Sequence, residues 1–240
     1  MKPFPLRIFM LLVALQLVLT SESRAAGAAE FAITGTPHQN IPDGDGSGAV
    51  FELTVDGADP QDYITDLDVV IDIGGAGAFN GDLYAYLAWM AEDDSQSAAD
   101  GVAVLINRPG RDGNDAFGTS SPGFDNLIFD DSALNGDVHQ YAATLAGAFD
   151  NTLPFTGVWQ PDGRLVDPAV VSATDPRTAM LGVFNGRNPN GKWLLYVADL
   201  SPGGEATLNE WSLRFTTVPE PGVLGLLLLG GAGLFARRRL

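Results

Sequence analysis

The sequence predicts an all-β protein built as an antiparallel sandwich. Three observations carry this. Apolar residues recur every second position in several short runs, the runs are separated by turns rich in Gly, Pro, Asn and Asp, and no long segment of 3.6-residue period competes with them in the body of the chain. Leu67, Val69, Ile71 and Ile73 alternate with Asp66, Asp68 and Asp72, the pattern of a half-buried strand. Leu83, Ala85, Leu87 and Trp89 alternate with Tyr84, Tyr86 and Ala88 in a second. Shorter strands are predicted at Ala49–Val55, Val102–Ile106 and Leu127–Phe129, and two more at Trp193–Asp199 and Leu208–Phe215 around the turn Ser201–Ala206. Gln140–Phe149 reads as a helical turn, and Glu92–Asp100 as a polar exposed insertion. Trp193 and Trp211 fall on the apolar sides of their runs and are expected in the core.

Both ends of the chain are apolar. Lys2 and Arg7 precede an apolar run, Ile8–Leu19, and then small residues, the order of a secretory signal peptide whose cleavage could fall after Ser23, Ala26 or Ala28, with Ala26 preferred. At the other end, Val218-Pro219-Glu220-Pro221 is followed by an apolar segment, Val223–Ala236, and by Arg237, Arg238 and Arg239. That segment is short for a membrane span, the arginines belong on the cytoplasmic side, and the two prolines mark a boundary between body and anchor. The domain organisation expected is a signal helix at 1–26, a linker at 27–40, a sandwich at 41–217, and a tail with a transmembrane helix at 218–240. Export by the Sec pathway, with signal peptidase as a partner, follows from the leader.

Composition narrows the function. Residues 25–220 hold seven Lys and Arg against 29 Asp and Glu, a net charge of −22. Such a field repels nucleic acid and anionic membrane. Cysteine is absent, which removes disulfides, thiolate catalysis and cysteine-ligated zinc. Either hard cations such as Ca2+ sit among the carboxylates or the acidity serves solubility alone. The stretch Asp43–Gly46 fails as an EF-hand, because Thr54 stands where a bidentate Glu is required and a strand follows; it reads as a tight turn.

Two resemblances rest on these residues. The Pro-Glu-Pro, apolar, arginine order at the terminus resembles a PEP-CTERM sorting signal, with Val218, Pro219, Glu220, Pro221 and Arg237 to Arg239 as its sorting and processing residues. It implies recognition by an exosortase, an inner-membrane-anchored intermediate, and delivery to the cell surface or extracellular matrix of a Gram-negative bacterium. The succession "IPDGDGSGAVFELTV", "ITDLDVVIDI", "GDLYAYL", "RPG", "FDDSA", "LPFTGVWQPDGRL", "FNGRNPNGKWLLYVAD" and "LNEWSLRF" resembles the P domain (P/Homo B) found beside the catalytic domain of proprotein convertases. That resemblance implies a jelly-roll-like, galactose-binding-like sandwich, commonly with bound calcium. The chain departs from the pattern in "GGAGAFNGDL", which lacks the usual His-Thr pair, and in "LSPGGEATL", which lacks a Gly-Asp pair.

The expected metal ligands are carboxylates at strand ends: Asp82 in the Gly-Asp-Leu turn, Asp130 and Asp131 after Phe129, and Asp199 after the Trp193 run, converging on one calcium at one edge of the sandwich. Trp159, in a loop-like stretch, is the tryptophan expected to stand exposed as a ligand platform. His38 and His139 lie in polar, loop-like sequence with no nucleophile turn beside them, so no enzyme is expected. The reading is an exported, non-catalytic structural, adhesive or binding module, with exopolysaccharide as the implied partner. The alternative is an accessory module that docks to a separately encoded, exported subtilisin-like protease.

Overall fold

A computed structural model describes residues 28–90 and 101–219. The predicted signal and transmembrane helices, the Glu92–Asp100 insertion, and Glu220, Pro221, Arg237, Arg238 and Arg239 lie outside the described residues. Among the described residues no helix is long and apolar enough to cross a membrane.

Among the described residues ten strands form two sheets. The first is ordered β1 (Ala29–Gly35), β10 (Ala206–Pro219), β4 (Asp62–Gly74), β7 (Phe124–Phe129), β8 (Val158–Trp159), with β2 (Gln39–Ile41) also on β10. The second is ordered β3 (Ala49–Val55), β9 (Gly191–Asp199), β5 (Leu83–Met90), β6 (Val102–Asn107). All pairs are antiparallel except β7 with β8. The chain changes sheet between β2 and β3, β3 and β4, β4 and β5, β6 and β7, β8 and β9, and β9 and β10, so most connections span the two layers. Among the described residues helical structure is limited to short turns: α1 (Tyr141–Leu145), inside the segment predicted to be helical, with a 3-10 turn on each side, and 3-10 turns at Asn80–Asp82 and Leu181–Phe184.

The two-residue rhythm becomes the core. Leu67, Val69, Ile71 and Ile73 of β4 face Leu83, Ala85, Leu87 and Trp89 of β5 through one buried cluster. At its centre Trp193 is 0% exposed, its ring 5.2 Å from Phe215 and 5.0 Å from Phe184, and its indole N–H donates to the Pro189 carbonyl at 2.9 Å. In β10 the inward residues are Leu208, Trp211, Leu213 and Phe215, a spacing of three and then two. The pairing explains the irregular step: Leu208 opposes Ile73 and Glu210 opposes Asp72, which leaves Asn209 as the extra residue of a β-bulge. The Asn209 amide donates to Asp72 across the strands at 2.7 Å.

Two expected boundaries shift. The segment 27–40 is no linker: β1 pairs residue for residue with β10, from Ala29↔Thr217 to Gly35↔Trp211, and Phe31 stacks on Phe215 at 4.9 Å. The polar residues between its apolar ones hid an edge strand that buries one face only. At the other end β10 continues through Val218 and Pro219, the latter opposite Asp62. A proline is tolerated at that terminal position of the strand.

Trp193→Ala is expected to destabilise the fold by about 3–5 kcal/mol, since the cavity would open between the two sheets. Urea unfolding followed by fluorescence would measure it, and a loss below about 1 kcal/mol would contradict the central role of this side chain.

Candidate functional site

The outer face of the first sheet carries the candidate site. Alternation along β4 points Asp66 and Asp68 away from the core on the same side, and Asp130 follows the last residue of the neighbouring β7, next to the rung Val69↔Phe129. One carboxylate oxygen from each of Asp66, Asp68 and Asp130 lies within 4.8 Å of the others. On the β10 side Arg214 opposes Asp68 and Thr216 opposes Asp66, and with Glu30 and Phe31 of β1 they line a groove of about 540 Å³. Burial, then the neighbouring charges of Asp130 and Asp66, push the Asp68 carboxyl up to about 6, against a partial counter-effect from Arg214. Burial and Asp130 raise Asp66 as well. Adjacent like charges on a sheet face are unfavourable. The Asp68 Oδ1 is moreover buried with no hydrogen-bond partner. An orphaned carboxylate oxygen beside two further carboxylates is the donor set of a hard cation.

The four expected ligands do not converge. Asp130 belongs to this cluster, where its Oδ1 accepts from the Ser132 N–H and hydroxyl at 2.7 and 2.8 Å. Asp131 spends both oxygens on the backbone N–H groups of Leu181 and Gly182, at 3.0 and 2.7 Å, holding the start of a 3-10 turn. Asp82 and Asp199 lie at the other end of β7, beyond Gly123, which the Asn80 side chain grips with hydrogen bonds of 3.0 and 2.8 Å. Six residues of strand put roughly 20 Å between the two ends. There Asp82 pairs with Arg108 at 3.1 Å, and Asp199 is 2% exposed with its carboxyl pushed up to about 6 by burial and by the charges of Asp82 and Asp43. A guanidinium already occupies the position a cation would take. Asp43 joins this group by accepting from the Gly203 N–H at 3.1 Å, so the Asp43–Gly46 stretch is the turn its sequence indicates.

Trp159 is not an exposed platform. It is 2% exposed, ends β8, and packs against Phe155 and Tyr141 with ring centroids 5.3 and 6.4 Å away. The two-residue strand joins β7 in parallel, a pairing that leaves no alternating run to read. His139 is not an exposed loop residue either. It is 1% exposed, with Nδ1 2.8 Å from Asp162 Oδ2 and Nε2 2.9 Å from the Arg111 carbonyl. Both partners can accept hydrogen bonds, an arrangement that favours the doubly protonated ring. Burial opposes that charge, but the hydrogen bond and charge of Asp162, together with the Arg111 carbonyl, raise the imidazole above its ordinary pKa. Arg164 closes the network on Asp162 and Asp137, at 3.2 and 2.6 Å. A ring with both nitrogens committed has no free nitrogen to accept a proton from a nucleophile.

Residues 171–215 match the family model described as the proprotein convertase P-domain, and residues 217–239 match the PEP-CTERM protein-sorting motif. The P-domain match covers β9 and most of β10, where the Trp193 and Trp211 motifs stand. No curated protein matches the chain. Among solved structures, that of an Aeromonas sobria serine protease in complex with a chaperone shows 13% identity and a TM-score of 0.40, over 85% of this chain and 29% of that one. That likeness is too slight to assign an activity. PEP-CTERM signals mark proteins that are exported, held at the membrane and then sorted to the cell surface of Gram-negative bacteria, and they imply recognition by an exosortase. The chain is thus an exported, sorted module.

The raised pKa of His139 fixes a sign. Its contribution to stability is full below the unfolded value of about 6.5 and is lost as pH climbs through the higher folded value. Unfolding midpoints are expected to fall as pH rises above about 6.5 in the parent chain, and His139→Gln to lower stability by about 1–3 kcal/mol at pH 6 while flattening that slope. An unchanged slope in the variant would show that His139 is not the titrating group.

Proposed function

We propose that the chain is a non-catalytic β-sandwich, exported by the Sec pathway and sorted by an exosortase, that serves as a binding module of the cell envelope or extracellular matrix and holds calcium at Asp66, Asp68 and Asp130. The observation that carries the reading is where the sorting motif begins. Residue 217 lies inside β10, so what the motif delivers is the sandwich itself. The commitment of His139 to a buried ion pair supports a role without catalysis. Calcium, taking 6–8 oxygens, would draw on the three carboxylates and on water, satisfy the orphaned Asp68 Oδ1 and offset the burial and carboxylate repulsion that raise its pKa. The second sheet end, with Arg108 among Asp43, Asp82 and Asp199, suits such an ion poorly.

Two measurements test this. In cells lacking exosortase the protein is expected to stay in the inner membrane with its C-terminal arginines, whereas in the parent strain the surface form has lost them by intact mass; an identical mass and location in both strains would refute sorting. With calcium at tenfold its Kd the full chain is expected to gain about 1.4 kcal/mol, read as a rise of roughly 3–5 °C in Tm. Asp68→Asn is expected to melt higher than the parent without calcium at pH 7, because a charge carried at a raised pKa is removed, and to show no calcium response. A parent Tm that calcium does not move would dispose of the ion. Recovery of an exported protease with the purified protein would favour the accessory-module reading instead.

A further inference from the structure

The outer face of the second sheet carries a different feature. Tyr84 and Tyr86 of β5 and Tyr196 of β9 all point away from the core, on the two central strands. Tyr86 and Tyr196 stack at 4.8 Å and 19°, and Tyr84 meets Tyr196 edge-on at 6.2 Å. Val50 of β3, opposite Tyr196, extends the band and is 60% exposed. At its end Tyr84 and Tyr196 form the wall of a groove of about 380 Å³, shared with Arg108, Asp167, Gly46 and Leu200.

Arg108 is built into that groove. It is 8% exposed and sits at φ +47, a conformation that costs a non-glycine residue and persists only where the surroundings impose it. Its Nε donates to Gly81 at 2.8 Å, and its Nη2 reaches Asp82 and Ser201 at 3.1 and 3.2 Å. Nη1 has no hydrogen-bond partner among the described residues. Asp167 uses Oδ1 for the Ala169 N–H at 2.8 Å, and Oδ2 has no hydrogen-bond partner among the described residues. A donor and an acceptor without partners thus stand beside aromatic faces, the mixture typical of small-ligand pockets.

We propose that this groove binds a neutral pyranose unit of a polysaccharide, its C–H face packed in the angle between Tyr84 and Tyr196 and its hydroxyls bridging Arg108 and Asp167. The C–H face of a pyranose carries partial positive charge and suits the negative face of a phenol ring. A hydroxyl both donates and accepts, as an unpartnered N–H and an unpartnered carboxylate oxygen require. Other occupants fit less well. A polyanion meets Asp167, Asp45, Asp82 and Asp199 around one already paired guanidinium, and a cation meets that guanidinium. A peptide strand would need an open edge, whereas β5 and β9 are paired on both sides. The site deepens the reading of the body as a binding module and is independent of the calcium cluster, which lies on the other sheet.

The test is affinity electrophoresis of the full chain in detergent and EDTA, through gels containing dextran, a soluble galactan or alginate. Retardation by at least one neutral polymer is expected, with little by the polyuronate. Tyr84→Ala and Tyr196→Ala are each expected to weaken binding at least tenfold and Asp167→Asn severalfold, whereas Tyr196→Phe, which keeps the ring, retains it. No retardation by either neutral polymer, alginate bound as tightly as they are, or full binding by both alanine variants would overturn the proposal. Because chelator is present throughout, these results read the groove alone, and the calcium-dependent shift in Tm reads the other site.

Discussion

Strand β10 lies between β1 and β4 and pairs with β4 from Thr207↔Gly74 to Pro219↔Asp62. Nearly everything else in the molecule is placed by that pairing. It fixes the register that turns Trp211, Leu213 and Phe215 inward against Trp193, and so closes the two sheets on each other. It also turns Asp66 and Asp68 outward beside Arg214 and Thr216. A slip of one residue would exchange the two faces, burying carboxylates and exposing the core. The bulge at Asn209 lets the strand keep this register while its N-terminal end bends to receive β2.

The strands that bury one face were legible because alternation reports that condition directly. Leu67 to Ile73 and Leu83 to Trp89 stand as their spacing predicts, and so do Trp193 and Trp211. What failed to show were features set by partners distant in sequence. β1 looked like a linker because its partner, β10, lies some 180 residues away. Trp159 looked exposed because only two residues of its strand pair. His139 carried no local sign of Asp162 and the Arg111 carbonyl, which reach it from separate loops. Asp66 and Asp68 were visible as outward residues of a strand, but their proximity to Asp130 depends on which strand lies beside β4.

Charge is distributed to the same plan. The body carries many more carboxylates than cations, and the few arginines are spent at points of burial: Arg164 on Asp137 and Asp162, Arg108 on Asp82. Buried ion pairs of this kind contribute little net stability but are costly to break on one side, so they act as fixed joints between loops. The remaining carboxylates are left to turns, where many accept backbone N–H bonds, and to the outer face of β4, where Asp68 has no such partner.

The length of β10 has a spatial consequence. Its last residues, Thr217–Pro219, begin the sorting motif, and its first, Ala206, follows the turn that leaves Leu200 at the tyrosine-lined groove. Fourteen residues of strand span roughly 45 Å, about the long dimension of a small domain. Since Ala29 pairs with Thr217, the first described strand begins beside the end of the last. The groove lies beyond Ala206, so the full length of β10 separates it from the strand end where the sorting motif starts.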